Sequence, residues 1–193
     1  MTEAESVRWI PLSMLKKQSF AEKMTAAKAV VSAVKSMHDS GELNTYFTSS
    51  SILIYSDLIN SEKSEQSCIS RSDYRHAFKD FIIFDDNSDD DSSLYYKAPE
   101  LFISETAAAA VQSSLYSLGV ILYELFTGRL PFNSDSADDI IHSHIAIIPV
   151  EPSVKDPSLP SELSAIIMKL LAKYPEDRYS SAAELVEDLE KYG

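Results

Sequence analysis

The chain of 193 residues contains a single cysteine, Cys68, and few basic side chains. One cysteine excludes a disulfide framework and a cysteine-based metal site within one chain. The 17 Lys and Arg residues are outnumbered by 30 Asp and Glu residues, which gives a formal net charge of -13. Because an acidic chain repels nucleic-acid phosphates and anionic lipid surfaces, we expect neither a nucleic-acid partner nor a membrane.

Long hydrophobic runs are also missing from this sequence. No apolar run approaches the roughly 20 residues that span a bilayer. Residues 1–9 are acidic and lack the layout of a secretory signal, so we expect a cytoplasmic protein, with the nucleus as the other possible location. The length and an apolar content of 45% are typical of one globular domain, here residues 1–193, with its own core.

The first half of the chain predicts one helix and a small β-hairpin. Apolar side chains recur at steps of three and four over residues 20–38, which indicates an amphipathic helix. Its predicted buried face consists of Phe20, Met24, Ala27, Val31, Val34 and Met37. Residues 51–55 and 77–84 are short apolar runs typical of strands. The polar residues 58–74 between them predict an enlarged hairpin loop, and residues 85–93 predict an acidic loop.

The second half predicts a bundle of helices around a buried one. Residues 115–126 are apolar on nearly every side, so this helix must be buried on every side. Gly128 favours its end, and Pro131 prevents its continuation. Residues 137–147 give a weaker helical pattern. Pro149, Pro152 and Pro157 predict an extended connector. Pro160 can begin a further helix, and Ser181 with Glu184 forms a capping box for a last one that continues through Leu189.

Three motifs follow one another after Tyr95. They are Ala98-Pro99-Glu100, the stretch SLYSLG beginning at Ser114, and the stretch PEDR ending at Arg178. In this order they resemble the C-terminal lobe of eukaryotic-type Ser/Thr protein kinases, and residues 163–192 resemble the kinase-like module of large hybrid sensor kinases. The resemblance implies a mainly α kinase C-lobe, a helical bundle around a buried central helix with a small β-hairpin.

The same resemblance implies that the catalytic residues are replaced. The family's catalytic loop supplies an Asp that accepts the substrate proton, a Lys near the transferred phosphate and an Asn that holds magnesium. Tyr46, Thr48 and Ser51 stand at those positions, so no catalytic residue is expected. Phenols, with a reference pKa of about 10, are poor bases near neutrality. Asp80 matches the family's second magnesium ligand and is a weak metal candidate, although an ordinary loop carboxylate is the favoured interpretation.

The resemblance also implies that the N-terminal lobe is absent. Trp9 to Leu15 is similar to the first short helix after the kinase hinge. Neither G-x-G-x-x-G nor V-A-I-K occurs before Val7. Half of a nucleotide pocket is therefore expected to be missing, and no cofactor is expected.

The residues that support the kinase fold are retained more fully than those that do its chemistry. The family pairs the APE glutamate with the late arginine, here Glu100 and Arg178. By contrast, the Asp that braces the catalytic loop from the central helix is here Ser114. His38 matches a position where the family's histidine is structural.

Several other polar residues are compatible with two interpretations each. Tyr95, Tyr96 and Lys97 precede the APE motif and could dock a peptide, with packing as the favoured alternative. His142 and His144 lie too far from other ligands for a metal site and are expected at the surface. Three serines lie among acidic residues and could be phosphorylated by acid-directed kinases, although a solvated loop is favoured: Ser88, Ser92 and Ser93.

Three functions are compatible with these observations. The first is a non-catalytic, pseudokinase-like lobe that binds a protein partner, at the face that an N-lobe would cover. The second is half of a Ser/Thr kinase that another chain completes in trans, which alone would require Mg-ATP. The third is a decayed fragment of a hybrid sensor kinase.

Overall fold

The computed structural model describes residues 9–41, 43, 46–50, 52–55, 91–103 and 110–191. The predicted hairpin loop 58–74, the apolar run 77–84, Asp80, Ser51 and Ser88 lie outside these ranges. In the described part of the chain, no helix is long and apolar enough to cross a bilayer.

Helices dominate the described residues. They are α1 (Phe20–Asp39), α2 (Glu100–Ile103), α3 (Ala110–Thr127), α4 (Ala137–Ala146), α5 (Pro152–Lys155), α6 (Ser161–Leu170) and α7 (Ala182–Glu190). Short 3-10 helices lie at Leu12–Lys17, Asp91–Tyr95 and Pro175–Asp177. The mainly α architecture predicted from the sequence is therefore confirmed.

Helix α3 lies at the centre of the domain. Every residue from Ser113 to Phe126 is buried, as an apolar surface on all sides requires. Helix α6 and the 3-10 helix Leu12–Lys17 pack against it, as does α1. The helix ends at Thr127 and is followed by Gly128, whose φ of 73° is costly for any residue with a side chain. This central helix was predicted correctly, although it begins several residues before Leu115.

Helix α1 follows its predicted bounds closely. Ser19 and Glu22 form a reciprocal capping box at its start. Its buried face includes Met24, Val31 and Val34. The prediction was wrong for Phe20, which is 44% exposed, because it lies in the first turn at the edge of the core.

The predicted strand at residues 51–55 has a different partner within the described residues. Strand β2 (Leu53–Tyr55) pairs antiparallel with β1 (Trp9–Pro11), with Trp9 opposite Tyr55. The first part of the segment predicted as a short helix is thus a strand, and the helix begins only at Leu12. Three residues that contain a proline are too few to show a period of two, so no local pattern indicated this strand.

Three further predictions need correction. Residues 152–155 form α5 within the predicted extended connector, because Pro152 takes the first helical position, where its missing N–H costs nothing. The end of the predicted acidic loop 85–93 is also ordered, because a 3-10 helix begins at Asp91 and includes Ser92 and Ser93. The capping box at α7 is half formed, since Ser181 accepts from the Glu184 N–H while the Glu184 carboxylate turns to Ser180.

Candidate functional site

The segment that resembles the catalytic loop is packed against the core. Phe47, Thr48 and Ser49 are buried, while Tyr46 is half-buried. The Thr48 and Ser50 hydroxyls are hydrogen-bonded to each other at 3.0 Å. A threonine carries no positive charge, so position 48 cannot contribute the cation that stabilises a transferred phosphate.

Ser114 connects the first turns of α3 to the C-terminal end of α1. The Ser114 hydroxyl donates to the Val111 carbonyl at 2.8 Å. Its single proton is then used, so it must accept the 2.9 Å hydrogen bond from His38 Nε2. Burial lowers the pKa of His38, partly offset by the charge of Asp39. The pair is therefore neutral, and it joins two helices without a carboxylate.

Glu100 and Arg178 form the most extensively hydrogen-bonded ion pair in the described residues. The two terminal nitrogens of Arg178 donate to Glu100 Oε1 and Oε2 at 2.7 and 2.8 Å. The other three N–H groups reach backbone carbonyls of Ala172, Gln112 and Lys173. All five donors of a fully buried guanidinium are thus satisfied, as burial of a charge requires.

The Glu100 carboxylate is held in its charged form. Burial disfavours its ionisation, but hydrogen bonds from Arg178 and Ser113, with the positive charge of Arg178, outweigh burial and keep the pKa of Glu100 below its usual value. The Ser113 hydroxyl donates to Glu100 Oε1 at 2.7 Å. The Arg178 guanidinium also lies 4.9 Å from the centre of the Tyr116 ring. The pair joins α2, α3 and the segment after α6.

Tyr96 does not lie where a peptide could dock. Its side chain is buried, and its hydroxyl donates to Glu124 Oε2 at 2.8 Å. It also lies 2.9 Å from Ser49 Oγ. Burial, with the nearby charge of Glu124, raises the pKa of Tyr96. The hydroxyl is used inside the fold, which supports the favoured interpretation that Tyr96 is a packing residue.

Tyr95 and Lys97 are half-buried beside Tyr96. The Tyr95 hydroxyl donates to the Ser134 carbonyl at 3.0 Å, and Lys97 Nζ lies 5.6 Å from the centre of the Phe102 ring. The side chains of Tyr95 and Lys97 are thus both engaged in contacts within the lobe.

Glu124 is a buried carboxylate that the sequence predictions did not include. It lies in the last turn of α3 and is only 6% exposed. Lys16 Nζ pairs with its Oε1 at 2.7 Å, while Tyr96 occupies the other oxygen. The sequence did contain an indication of this pairing. A single acidic residue in a mostly apolar helix must have partners if it is buried.

His144 is fully buried, so its predicted surface position is wrong. Its Nδ1 lies 2.8 Å from the Tyr116 hydroxyl. The rings of Phe102, Tyr116 and Phe132 surround it at centroid distances of 5.1 to 6.0 Å. Burial lowers the pKa of His144 to about 4, with help from the charge of Lys173 and partial opposition from the backbone of Tyr95. The adjacent His142 is exposed as predicted.

These residues do not assemble a metal site or an acid–base pair. Among the residues that the structure describes, no three His, Cys, Asp or Glu side chains are grouped to hold a metal ion. The arrangement supplies internal hydrogen bonds and helix–helix connections. Ser51 and Asp80 lie outside the described ranges.

Comparison with known proteins identifies one matching family model and several kinases of similar sequence. Residues 14–189 match the family model for the protein kinase domain. A segment of 101 residues is 45% identical to Hybrid signal transduction histidine kinase G of Dictyostelium discoideum, covering 52% of this chain and 3% of that protein. A segment of 94 residues is 40% identical to Serine/threonine-protein kinase PknB of Mycobacterium tuberculosis, covering 49% of this chain and 15% of that protein.

A third relative has a comparable similarity. Histidine protein kinase 1 of Candida albicans is 42% identical over 95 residues, which is 49% of this chain and 4% of that protein. The chain therefore aligns with only a small part of each of these relatives.

Proposed function

Since the chain belongs to the protein kinase domain family, we propose that it is a non-catalytic member that acts as a protein-interaction or regulatory lobe. The observation that carries the proposal is the catalytic-loop segment. Tyr46 occupies the proton-acceptor position, and the phosphate-contacting Lys is replaced by a buried Thr48 that is hydrogen-bonded to Ser50. Neither side chain offers the base or the cation that phosphoryl transfer uses.

The packing around Ser114 supports the same proposal. The family's brace for the catalytic loop is an Asp, and Ser114 here makes a neutral hydrogen bond to His38. By contrast, Glu100 and Arg178 are fully hydrogen-bonded. The contacts that hold the helices together are thus intact, while the groups that would act on a substrate are replaced. A stable lobe without this chemistry is suited to binding.

A thermal-shift titration of the purified chain with Mg-ATP tests the proposal. A ligand at 100 times its dissociation constant adds about 2.7 kcal/mol of stability. We expect no magnesium-dependent increase in Tm and no transfer of radiolabelled phosphate to the chain or to a general protein substrate. The matched control is Asp80→Asn, which removes the weak magnesium candidate and should behave like the unmodified chain.

A magnesium-dependent shift that Asp80→Asn abolishes would overturn the non-catalytic assignment. It would favour the second candidate, half of a kinase completed in trans by a chain with an N-lobe. That candidate also makes its own prediction, because phosphate transfer should then appear only when such a chain is added.

A further inference from the structure

Five large aliphatic side chains are exposed within ten consecutive residues. They account for half of the ten large hydrophobic side chains that are exposed in the described ranges. They form what we call the aliphatic ridge: Ile145 (38% exposed), Ile147 (46%), Ile148 (77%), Val150 (46%) and Val154 (66%). Single exposed hydrophobic residues are ordinary, but a cluster of this kind marks an interaction surface.

The backbone holds the ridge in an exposed position. Helix α4 ends before Ile147, whose φ of -97° and ψ of 128° begin an extended stretch. Pro149 and Pro152 are buried, and the Tyr123 hydroxyl donates to the Val150 carbonyl at 2.9 Å. Burial of Pro149 and Pro152 and the Tyr123 hydrogen bond fix this segment to the core, and Ile147, Ile148 and Val150 remain exposed on it. Exposure of the ridge is therefore imposed by the fold.

Acidic side chains outnumber basic ones in the sequence around the ridge, although Lys173 lies near the end of α4, where its Nζ donates to the Ser143 and His144 carbonyls at 3.1 and 2.8 Å. From residue 135 to residue 162 there is one basic side chain, Lys155, against six acidic ones: Asp135, Asp138, Asp139, Glu151, Asp156 and Glu162. None of the six forms a salt bridge with another described residue. Hydrogen bonds from Ser158 lower the pKa of Asp156, and the charge of Lys23 adds a smaller effect. Glu151, which lies within the ridge segment and is exposed, is therefore available to an outside cation.

Charge decides between the possible occupants of the ridge. A second copy of the chain would bring the same acidic residues against itself, and each copy carries a net charge of -13. An anionic lipid surface is repelled for the same reason. A segment with aliphatic side chains on one side and Lys or Arg on the other matches both the ridge and the exposed Glu151. Amphipathic helices in partner proteins commonly present this pattern.

We propose that the aliphatic ridge docks a basic amphipathic helical segment of a partner protein. This inference rests on the proposed function, because it names the surface and the partner chemistry of an interaction lobe. The aliphatic side chains would bury against the apolar face of the helix, and Glu151 would lie beside its basic face.

The test is fluorescence anisotropy with a labelled synthetic peptide of leucine and lysine. The peptide is roughly 18 residues long, or about five helical turns, with leucines at helical spacing. A peptide of the same composition with scrambled order controls for attraction to the net charge. We expect saturable binding of the amphipathic peptide, at least tenfold tighter than the scrambled one and weaker at high salt.

Variants locate the binding surface. Ile148→Asp and Glu151→Lys should each weaken binding tenfold or more, since a central apolar side chain or a charge partner is lost. Met14→Asp is the matched control because Met14 is 69% exposed and far from the ridge in sequence. It should leave the affinity unchanged. Circular dichroism checks that each variant remains folded.

Several results would overturn the inference. Equal affinity for the scrambled peptide would show attraction to net charge alone, and an unaltered Ile148→Asp would place binding elsewhere. A dimer that Ile148→Asp abolishes in sedimentation experiments would identify a second copy as the occupant. Each of these results leaves the Mg-ATP titration unaffected, so failure of the ridge and failure of the non-catalytic assignment are distinguishable.

Discussion

Arg178 illustrates how a single buried charge connects separate segments of this domain. Its five N–H groups reach Glu100 and three backbone carbonyls, and Gln112 and Glu100 are 66 and 78 residues away in sequence. No water is needed to satisfy the guanidinium. Loss of the arginine would leave both a partly buried carboxylate and several carbonyls without partners.

We expect Arg178→Met to lower the free energy of unfolding by about 3–5 kcal/mol, because the partly buried Glu100 carboxylate would lose its counter-charge and three backbone carbonyls would lose their donor. Urea unfolding followed by circular dichroism measures this. Arg129→Met, at an exposed arginine, is the matched control and should change stability by less than about 0.5 kcal/mol. Equal effects of the two variants would contradict the structural role given to Arg178.

His144 makes stability depend on pH in a defined direction. Burial lowers its pKa to about 4 from the ordinary value of 6.5, so the unfolded chain binds the proton more tightly than the folded chain. The contribution is complete above pH 6.5 and is lost progressively as the pH falls towards 4. Its full size is on the order of 3 kcal/mol.

The measurement compares the unmodified chain with His144→Gln by urea unfolding between pH 7 and pH 4. The variant cannot titrate at this position, so the stability gap between the two proteins should narrow as the pH falls. His142→Gln, at the exposed neighbour, should follow the unmodified chain at every pH. A gap that is constant with pH would show that His144 does not resist protonation.

At the scale of elements, α3 and α6 pack more closely than side chains usually allow. A Cβ atom at Gly119 would lie 2.7 Å from the Cβ of Leu170 and 3.3 Å from its carbonyl carbon. Neither atom is the end of a flexible side chain, so one helix would have to move. Glycine is therefore needed here for close approach, although it is unfavourable in a helix interior.

We expect Gly119→Ala to destabilise the domain by about 1–3 kcal/mol, as overpacking does. Helix propensity alone would give the opposite sign, since alanine is favoured over glycine by about 1 kcal/mol. Thermal unfolding measures the sign directly. An increase in Tm for Gly119→Ala would show that α3 and α6 are farther apart than described.

The existence of the long helices could be predicted from sequence, and their partners could not. Periodicity located α1, and continuous apolarity located α3, because these signals belong to neighbouring residues. Strand β1 was not predicted because three residues are too few to show an alternating pattern. Of the candidate site, the Glu100–Arg178 pairing followed from the family resemblance. The contacts of Glu124 with Lys16 and Tyr96 followed from no local pattern.

Taken over the full chain, the excess of acidic groups should destabilise the folded state through charge repulsion. The net charge is -13 at pH 7, and the isoelectric point is about 4.6. Self-repulsion of this kind is screened by salt over about 10 Å at 0.1 M ionic strength.

We expect the Tm at pH 7 to rise as sodium chloride is added at low ionic strength. A scan near pH 4.6 is the control, because the net charge there is close to zero and the increase should be much smaller. A Tm that falls with salt at pH 7 would mean that the ion pairs outweigh the repulsion.

The helices, the buried position of α3 and the kinase motifs can all be read from the amino-acid sequence. They depend on the spacing of residues within short stretches of chain, where the helical period is visible. The burial of His144, the internal hydrogen bonds of Tyr96 and the exposure of the aliphatic ridge become visible only in the folded domain, because burial and hydrogen bonding depend on which distant segments meet. Residues 28 positions apart, such as Tyr116 and His144, leave no mark of their contact in the residues beside them.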